Sequence, residues 1–316
     1  MIDRGRYAAL LDPEYWTYID AVTARHLPAV VDMPVDQERA FYDEMAAAFH
    51  AGRPAGVETE DGAIPLADRT IPFRRYRLDG RPPRAAILYF HGGGFVFGGL
   101  DSHDDICADV CDETGFAVIS IDYRLAPEHL HPAAFEDAVA AFDWLVAGTE
   151  LPIVLCGESA GGNLAAAVAH ATRERPRPAV GQVLIYPSLG GDPSAGSYVE
   201  HAEAPLLSTA DLAFYKQVRT GQAAGPGDAT LEPLLDADFA GLPPTVIVTA
   251  QCDPLSSDGE TYRDRILAAG GRAAWLNERR LTHSFLRARK RAPRAGEAMT
   301  DIVAAITALG EGRWPY

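Results

Sequence analysis

The chain has 316 residues, 47% hydrophobic and 23% charged, the balance of an ordinary soluble enzyme. Its 44 acidic against 28 basic side chains leave a formal charge of −16, which argues against nucleic acid as a partner, because phosphate binding needs a basic face. No apolar run approaches the ~18 residues of a membrane span, and Met1-Ile2-Asp3-Arg4-Gly5-Arg6 lacks the apolar core of a secretory signal. Four scattered cysteines (Cys107, Cys111, Cys156 and Cys252) match neither a zinc nor a redox spacing. They are expected as buried small hydrophobes in a reducing cytoplasm.

Residues 1–50 read as helical, with Tyr7, Leu10, Leu11, Tyr15, Trp16, Ile19 and Val22 recurring at helical spacing as a packed face. From residue 84 onward strand and helix patterns alternate, the signature of a mostly parallel sheet with helices on both faces. The first strand, at about 85–90, runs into His91-Gly92-Gly93-Gly94-Phe95. Consecutive glycines let backbone N–H groups approach an oxygen that turns negative during acyl transfer. A helix is expected near 102–113, with Ser102-His103-Asp104-Asp105 resembling a capping box. A strand at about 116–122 and a helix near 132–147, with Pro132 in its opening turn, come next.

The strand at about 152–157 then meets Gly157-Glu158-Ser159-Ala160-Gly161 and an alanine-rich helix over 160–174. Strand, glycine-flanked turn and helix together form a nucleophile elbow, which lifts Ser159 above the sheet. The oxyanion donors are assigned to the N–H groups of Gly93, Gly94 and Ala160. After a strand at about 180–187, residues 188–240 make a connection too long for a simple loop, so a lid or insertion with its own helix near 209–218 is expected.

Later strands are expected at 245–251 and 272–277, with helices near 257–269, closed by Gly270-Gly271, and 295–309. In this architecture the chain order is serine, acid, histidine. Six of the nine histidines precede Ser159, His170 lies on the helix leaving the elbow and His201 inside the insertion. His283 alone follows a late strand and precedes the final helix, so it is taken as the base. Asp253 stands just beyond the 245–251 strand and is favoured as the acid over Asp258, which falls where it would cap the next helix. Phe95, Phe97, Leu206, Leu207, Phe214 and Tyr215 are candidates for an apolar substrate pocket, with core packing the competing role.

These motifs, with Asp122-Tyr123-Arg124-Leu125-Ala126-Pro127-Glu128, Asp253-Pro254-Leu255 and His283-Ser284-Phe285, come in the order of the hormone-sensitive lipase family of α/β-hydrolases, which the chain resembles over residues 91–285. The resemblance implies an α/β-hydrolase fold, mostly parallel and carrying a helical cap, and a serine carboxylesterase acting on short-chain esters without metal or cofactor. It also admits a homodimer. The expected organisation is N-terminal cap helices over 1–50, a catalytic domain over 51–187 and 241–316, and a cap insertion over 188–240. Two departures stand out: Glu158 where the family usually has aspartate, and Ser284 where it usually has glycine. Two rival functions stay open, an amidase, lactonase or carbamate hydrolase using the same triad, and a ligand receptor on the same fold.

Overall fold

The computed structural model describes residues 4–25, 34–221 and 227–316. The part of the expected N-terminal helical region over 26–33 therefore lies outside the described residues. In chain order the elements are α1 (Arg4–Tyr7), α2 (Pro13–Thr23), α3 (Val35–Phe49), β1 (Val57–Pro65), β2 (Thr70–Leu78), β3 (Ala86–Phe90), α4 (Asp104–Thr114), β4 (Ala117–Ile121) and α5 (Ala133–Gly148). They continue with β5 (Ile153–Glu158), α6 (Ala160–Thr172), β6 (Gly181–Ile185), α7 (Gly196–Glu200), α8 (Thr209–Thr220), β7 (Thr245–Cys252), α9 (Ser256–Ala268), β8 (Ala273–Thr282) and α10 (Pro293–Gly310).

The eight strands form one sheet in the order β1-β2-β4-β3-β5-β6-β7-β8. β1 to β2 and β2 to β4 are antiparallel, and every other neighbour is parallel. Strands β3 to β6 are buried at every residue, as expected where helices cover both faces. Alternate side chains feed two cores: Tyr89, Val154, Val183 and Val246 pack beneath α4 and α10, whereas Leu88, Leu155, Leu184 and Ile247 pack beneath α5, α6 and α9. The N-terminal stripe joins the first core through Tyr7, Leu11, Tyr15, Ile19 and Val22.

Three sequence-based expectations are corrected. The hairpin β1–β2 was not anticipated, because its strands are polar, half-buried and interrupted by Gly62, Pro65 and Pro72. Ile64, Ile71, Phe73 and Tyr76 anchor it in the cores, and along it Glu58, Glu60 and Asp61 stand opposite Arg77, Arg75 and Arg74 and ion-pair with them. Ser102 does not cap α4; its hydroxyl turns back to the Gly99 N–H and carbonyl, and the N-cap is His103 without a side-chain cap. Nor does Asp258 cap α9. Its carboxyl group accepts the Leu189 N–H at 2.7 Å and the Tyr198 hydroxyl at 3.1 Å, tying the insertion to α9. The capping box instead opens α8, between Ser208 and Asp211.

All four cysteines are free and buried. Among the described residues no helix is long and apolar enough to cross a membrane.

Candidate active site

The elbow forms where β5 ends and α6 begins. Ser159 sits between them at φ 57°, ψ −117°, a strained conformation costing on the order of 1–3 kcal/mol. A hydrogen bond from its own N–H to the Ile185 carbonyl at 2.9 Å holds it there. Gly161 is required by close approach: a Cβ there would run into the Phe90 carbonyl.

Three carboxyl-terminal strand ends then converge, the edge at which open α/β sheets bind ligands. Ser159 follows β5, Asp253 follows β7 and His283 follows β8. His283 Nε2 lies 2.9 Å from Ser159 Oγ, and Nδ1 lies 2.7 Å from Asp253 Oδ2. Beside a carboxylate, Nδ1 carries the proton, which leaves the Nε2 lone pair facing the serine hydroxyl. Asp253 is fully buried, and its other oxygen accepts the Leu255 N–H at 2.9 Å. The structure thus brings Ser159, His283 and Asp253 into one line, and it aims Asp258 elsewhere.

The glycine loop hangs over this line. Gly93 has φ 122°, and a Cβ on it would collide with the Phe97 carbonyl, so only glycine fits. Ala160 is the first residue of α6, so its N–H is one of the amides the helix leaves unpaired. Neither Gly93 nor Gly94 donates to a carbonyl among the described residues.

Glu158, whose contacts were not legible in the sequence, anchors this loop. It is buried, accepts the Gly92 N–H at 2.6 Å, receives the Tyr89 hydroxyl and lies 2.7 Å from His103 Nε2. Burial pushes its carboxyl up, but the His103 ring and the three hydrogen bonds outweigh that and hold it below the ordinary value. His91 supports the same loop. Its ring stacks on Tyr123 at 4.3 Å and its Nδ1 reaches the Gly92 carbonyl at 2.8 Å. Burial, then the neighbouring His103, takes it down to about 3, so it stays neutral. The Asp122–Glu128 segment completes the support: the Tyr123 hydroxyl donates to the His91 carbonyl at 2.6 Å and the Ala126 N–H to the Phe95 carbonyl at 2.8 Å.

This line of side chains opens into a cavity of about 810 Å³, large enough for a small organic ligand. Phe95, Phe97, Leu206, Leu207 and Tyr215 line it. Phe214 does not: α8 turns Leu212, Tyr215, Lys216 and Arg219 inward, and Phe214 packs its ring against Tyr215 at 5.6 Å. Tyr18, Tyr42 and Met45 from the N-terminal helices line it as well. Ser284, in a left-handed conformation at φ 63°, also faces the cavity. Among the described residues no group of three His, Cys, Asp or Glu side chains is placed to hold a metal ion.

An alpha/beta hydrolase fold family matches residues 87–287. A carboxylic ester hydrolase of Mycobacterium tuberculosis is 36% identical over 80% of this chain and 70% of its own length. An ethyl acetate hydrolase of Pseudomonas putida is 32% identical over 94% of this chain and 98% of its own. Among solved structures, the hyperthermophilic esterase of Pyrobaculum calidifontis superposes with a TM-score of 0.86 at 32% identity, covering 95% of this chain and 99% of that one. The chain belongs to the α/β-hydrolase family. Within it the chain falls in the hormone-sensitive-lipase-like group of bacterial carboxylesterases and is a carboxylic ester hydrolase.

Proposed function

We propose that the protein hydrolyses short-chain acyl esters through a covalent acyl-enzyme. The observation that carries this reading is the unbroken line from Ser159 Oγ to His283 (2.9 Å) to Asp253 (2.7 Å) beneath the glycine loop. Ser159 attacks the ester carbonyl while His283 Nε2 takes its proton. The carbonyl oxygen becomes an anion held by the N–H groups of Gly93, Gly94 and Ala160. The intermediate collapses as His283 hands the proton to the leaving alcohol, and Asp253 stabilises the transient imidazolium. Water, deprotonated by the same histidine, then releases the acid and restores the serine. Because the base must be neutral, activity should decline in acid.

The N-terminal helices and the insertion, which both line the cavity, serve as its cap. The near full-length match to an ethyl acetate hydrolase supports small acyl and alcohol groups. Free, buried cysteines support a cytoplasmic setting.

Hydrolysis of a series of p-nitrophenyl esters from acetate to decanoate, with Ser159→Ala alongside, tests the reading. Turnover peaking at short chains and falling by at least about 10³ in the variant is expected. A variant that kept most of its turnover would remove Ser159 from the chemistry. A matched ester and amide pair separates an esterase from an amidase, since the amide's poorer leaving group needs protonation.

A further inference from the structure

Arg219, at the end of α8, is buried, with 6% of its surface exposed, yet it ion-pairs with no carboxylate among the described residues. Glu232 and Asp228 act on it only at longer range, and burial brings the guanidinium down to about 9. A cation kept in such a place is costly, and an apolar side chain would pack there more cheaply. What it touches accounts for its presence. The guanidinium carbon sits over the Phe95 ring, 3.4 Å from its centroid. Nη1 donates to the Leu231 carbonyl at 3.1 Å and Nη2 to Asn163 Oδ1 at 3.3 Å.

Two of these three partners, Phe95 and Asn163, adjoin the proposed catalytic centre. Phe95 directly follows Gly93 and Gly94 and is itself held at φ 66°, a conformation an aromatic residue resists. Asn163 closes the first turn of α6, its N–H bonded to the Ser159 carbonyl at 3.1 Å. One turn earlier on α8, the Tyr215 ring covers Gly94 so closely that a Cβ there would stand 2.5 Å from it. Tyr215 also meets Phe97 edge-on at 5.9 Å. The insertion helix therefore grips three residues of the glycine loop from above, while Glu158 holds Gly92 from below.

We propose that Arg219 is a positioning residue that clamps the glycine loop to the insertion, so that the oxyanion hole is assembled only when α8 is docked. The kinetic consequence rests on the esterase reading above; the clamp itself does not. In this arrangement the insertion shapes the pocket and also switches the hole between an assembled and a slack state.

The test compares wild type with Arg219→Gln and Arg219→Lys. The readouts are kcat and KM on p-nitrophenyl butyrate, inhibition by a trifluoromethyl ketone that mimics the oxyanion, and hydrogen exchange of the peptide spanning 89–99. We expect kcat to fall roughly 10- to 100-fold, KM to stay within about threefold, and ketone affinity to weaken in step with kcat. Exchange over Gly92–Phe97 should quicken. Lysine should rescue neither, because an ammonium cannot stack flat and bridge both acceptors.

Unchanged exchange in both variants would overturn the clamp, as would a raised KM at constant kcat, which would make Arg219 a substrate contact. A wild type without ester turnover would defeat the esterase reading alone, with exchange still deciding the clamp. If Arg219→Gln does not fold, Phe95→Leu removes the stacking face while leaving both carbonyl bonds. It should show the same exchange signature, and its absence would also overturn the proposal.

Discussion

Glu158 accepts the Gly92 N–H at 2.6 Å, so the residue before Ser159 also holds the first glycine of the loop. Two elements far apart in sequence are fixed to each other by one buried carboxylate, and Tyr89 and His103 complete its coordination. The extra methylene of glutamate over the family's usual aspartate is spent on this reach.

Glu158→Gln should therefore damage both stability and turnover. An amide offers one oxygen where the carboxylate uses two, so at least one buried donor loses its acceptor, at a cost of about 2–4 kcal/mol. We expect kcat to drop by roughly tenfold or more as the loop loosens. Chemical denaturation and steady-state kinetics on the same preparation would show it. Since the Glu158 carboxyl is held below its ordinary value, its contribution is present above pH ~4.5 and is lost only as pH falls through its folded-state value. Wild-type kcat in Glu158→Gln would mean the loop stands without it.

Asp258 predicts the opposite slope. Burial pushes its carboxyl up to about 7, against the hydrogen bonds from Leu189, Tyr198 and Gly191, with the charge of nearby Asp253 adding to the rise. Between the unfolded value of 3.8 and about 7, the folded protein binds the extra proton, so this group costs stability as pH rises across that window. The full effect is at most about 4 kcal/mol. Asp258→Asn cannot ionise and should lack this slope. Unfolding free energies from pH 4 to 8 would reveal it as a difference between variant and wild type that changes with pH; parallel curves would assign the slope to other groups.

Phe97, in the glycine loop, and Phe214, on α8, stand differently toward the cavity. Phe97 packs on Tyr42 at 5.6 Å and walls the cavity, so Phe97→Ala should enlarge it and move the preferred acyl chain longer, with a loss of stability of about 3–5 kcal/mol. Phe214, turned away from the cavity, should tolerate alanine with the chain-length profile unchanged. Profiles of the two variants on one ester series decide this. A shifted profile for Phe214→Ala would place it at the substrate after all.

Much of this protein was legible in its sequence because the signals are local. The short apolar runs at 85–90, 116–122 and 152–157 read as buried strands, and each contains one in the structure. The sharp strand-turn-helix at Ser159 and the glycines at 92–94 carry their geometry in their own composition, since no other residue fits there. Chain order and strand ends put Asp253 and His283 forward as acid and base, because a parallel sheet puts all its carboxyl ends on one edge, and in the structure the two side chains lie 2.7 Å apart.

Contacts between segments distant in sequence were decided only by the tertiary structure. The β1–β2 hairpin announces itself only weakly, because prolines and charged residues interrupt its short apolar alternation, and the opposite charges that line it meet only in register. Asp258, read as a helix cap from its position, is drawn instead to Leu189 and Tyr198, some sixty residues away. Phe214 and Tyr215 are neighbours in sequence, yet a helix separates consecutive side chains by ~100°, so the docking of α8 sends one to the cavity and the other away. The same docking brings Arg219 onto Phe95 and Glu158 within reach of Gly92. Local propensity determines which elements form; which buried charge meets which backbone amide depends on how those elements pack, and no short stretch of sequence contains that information.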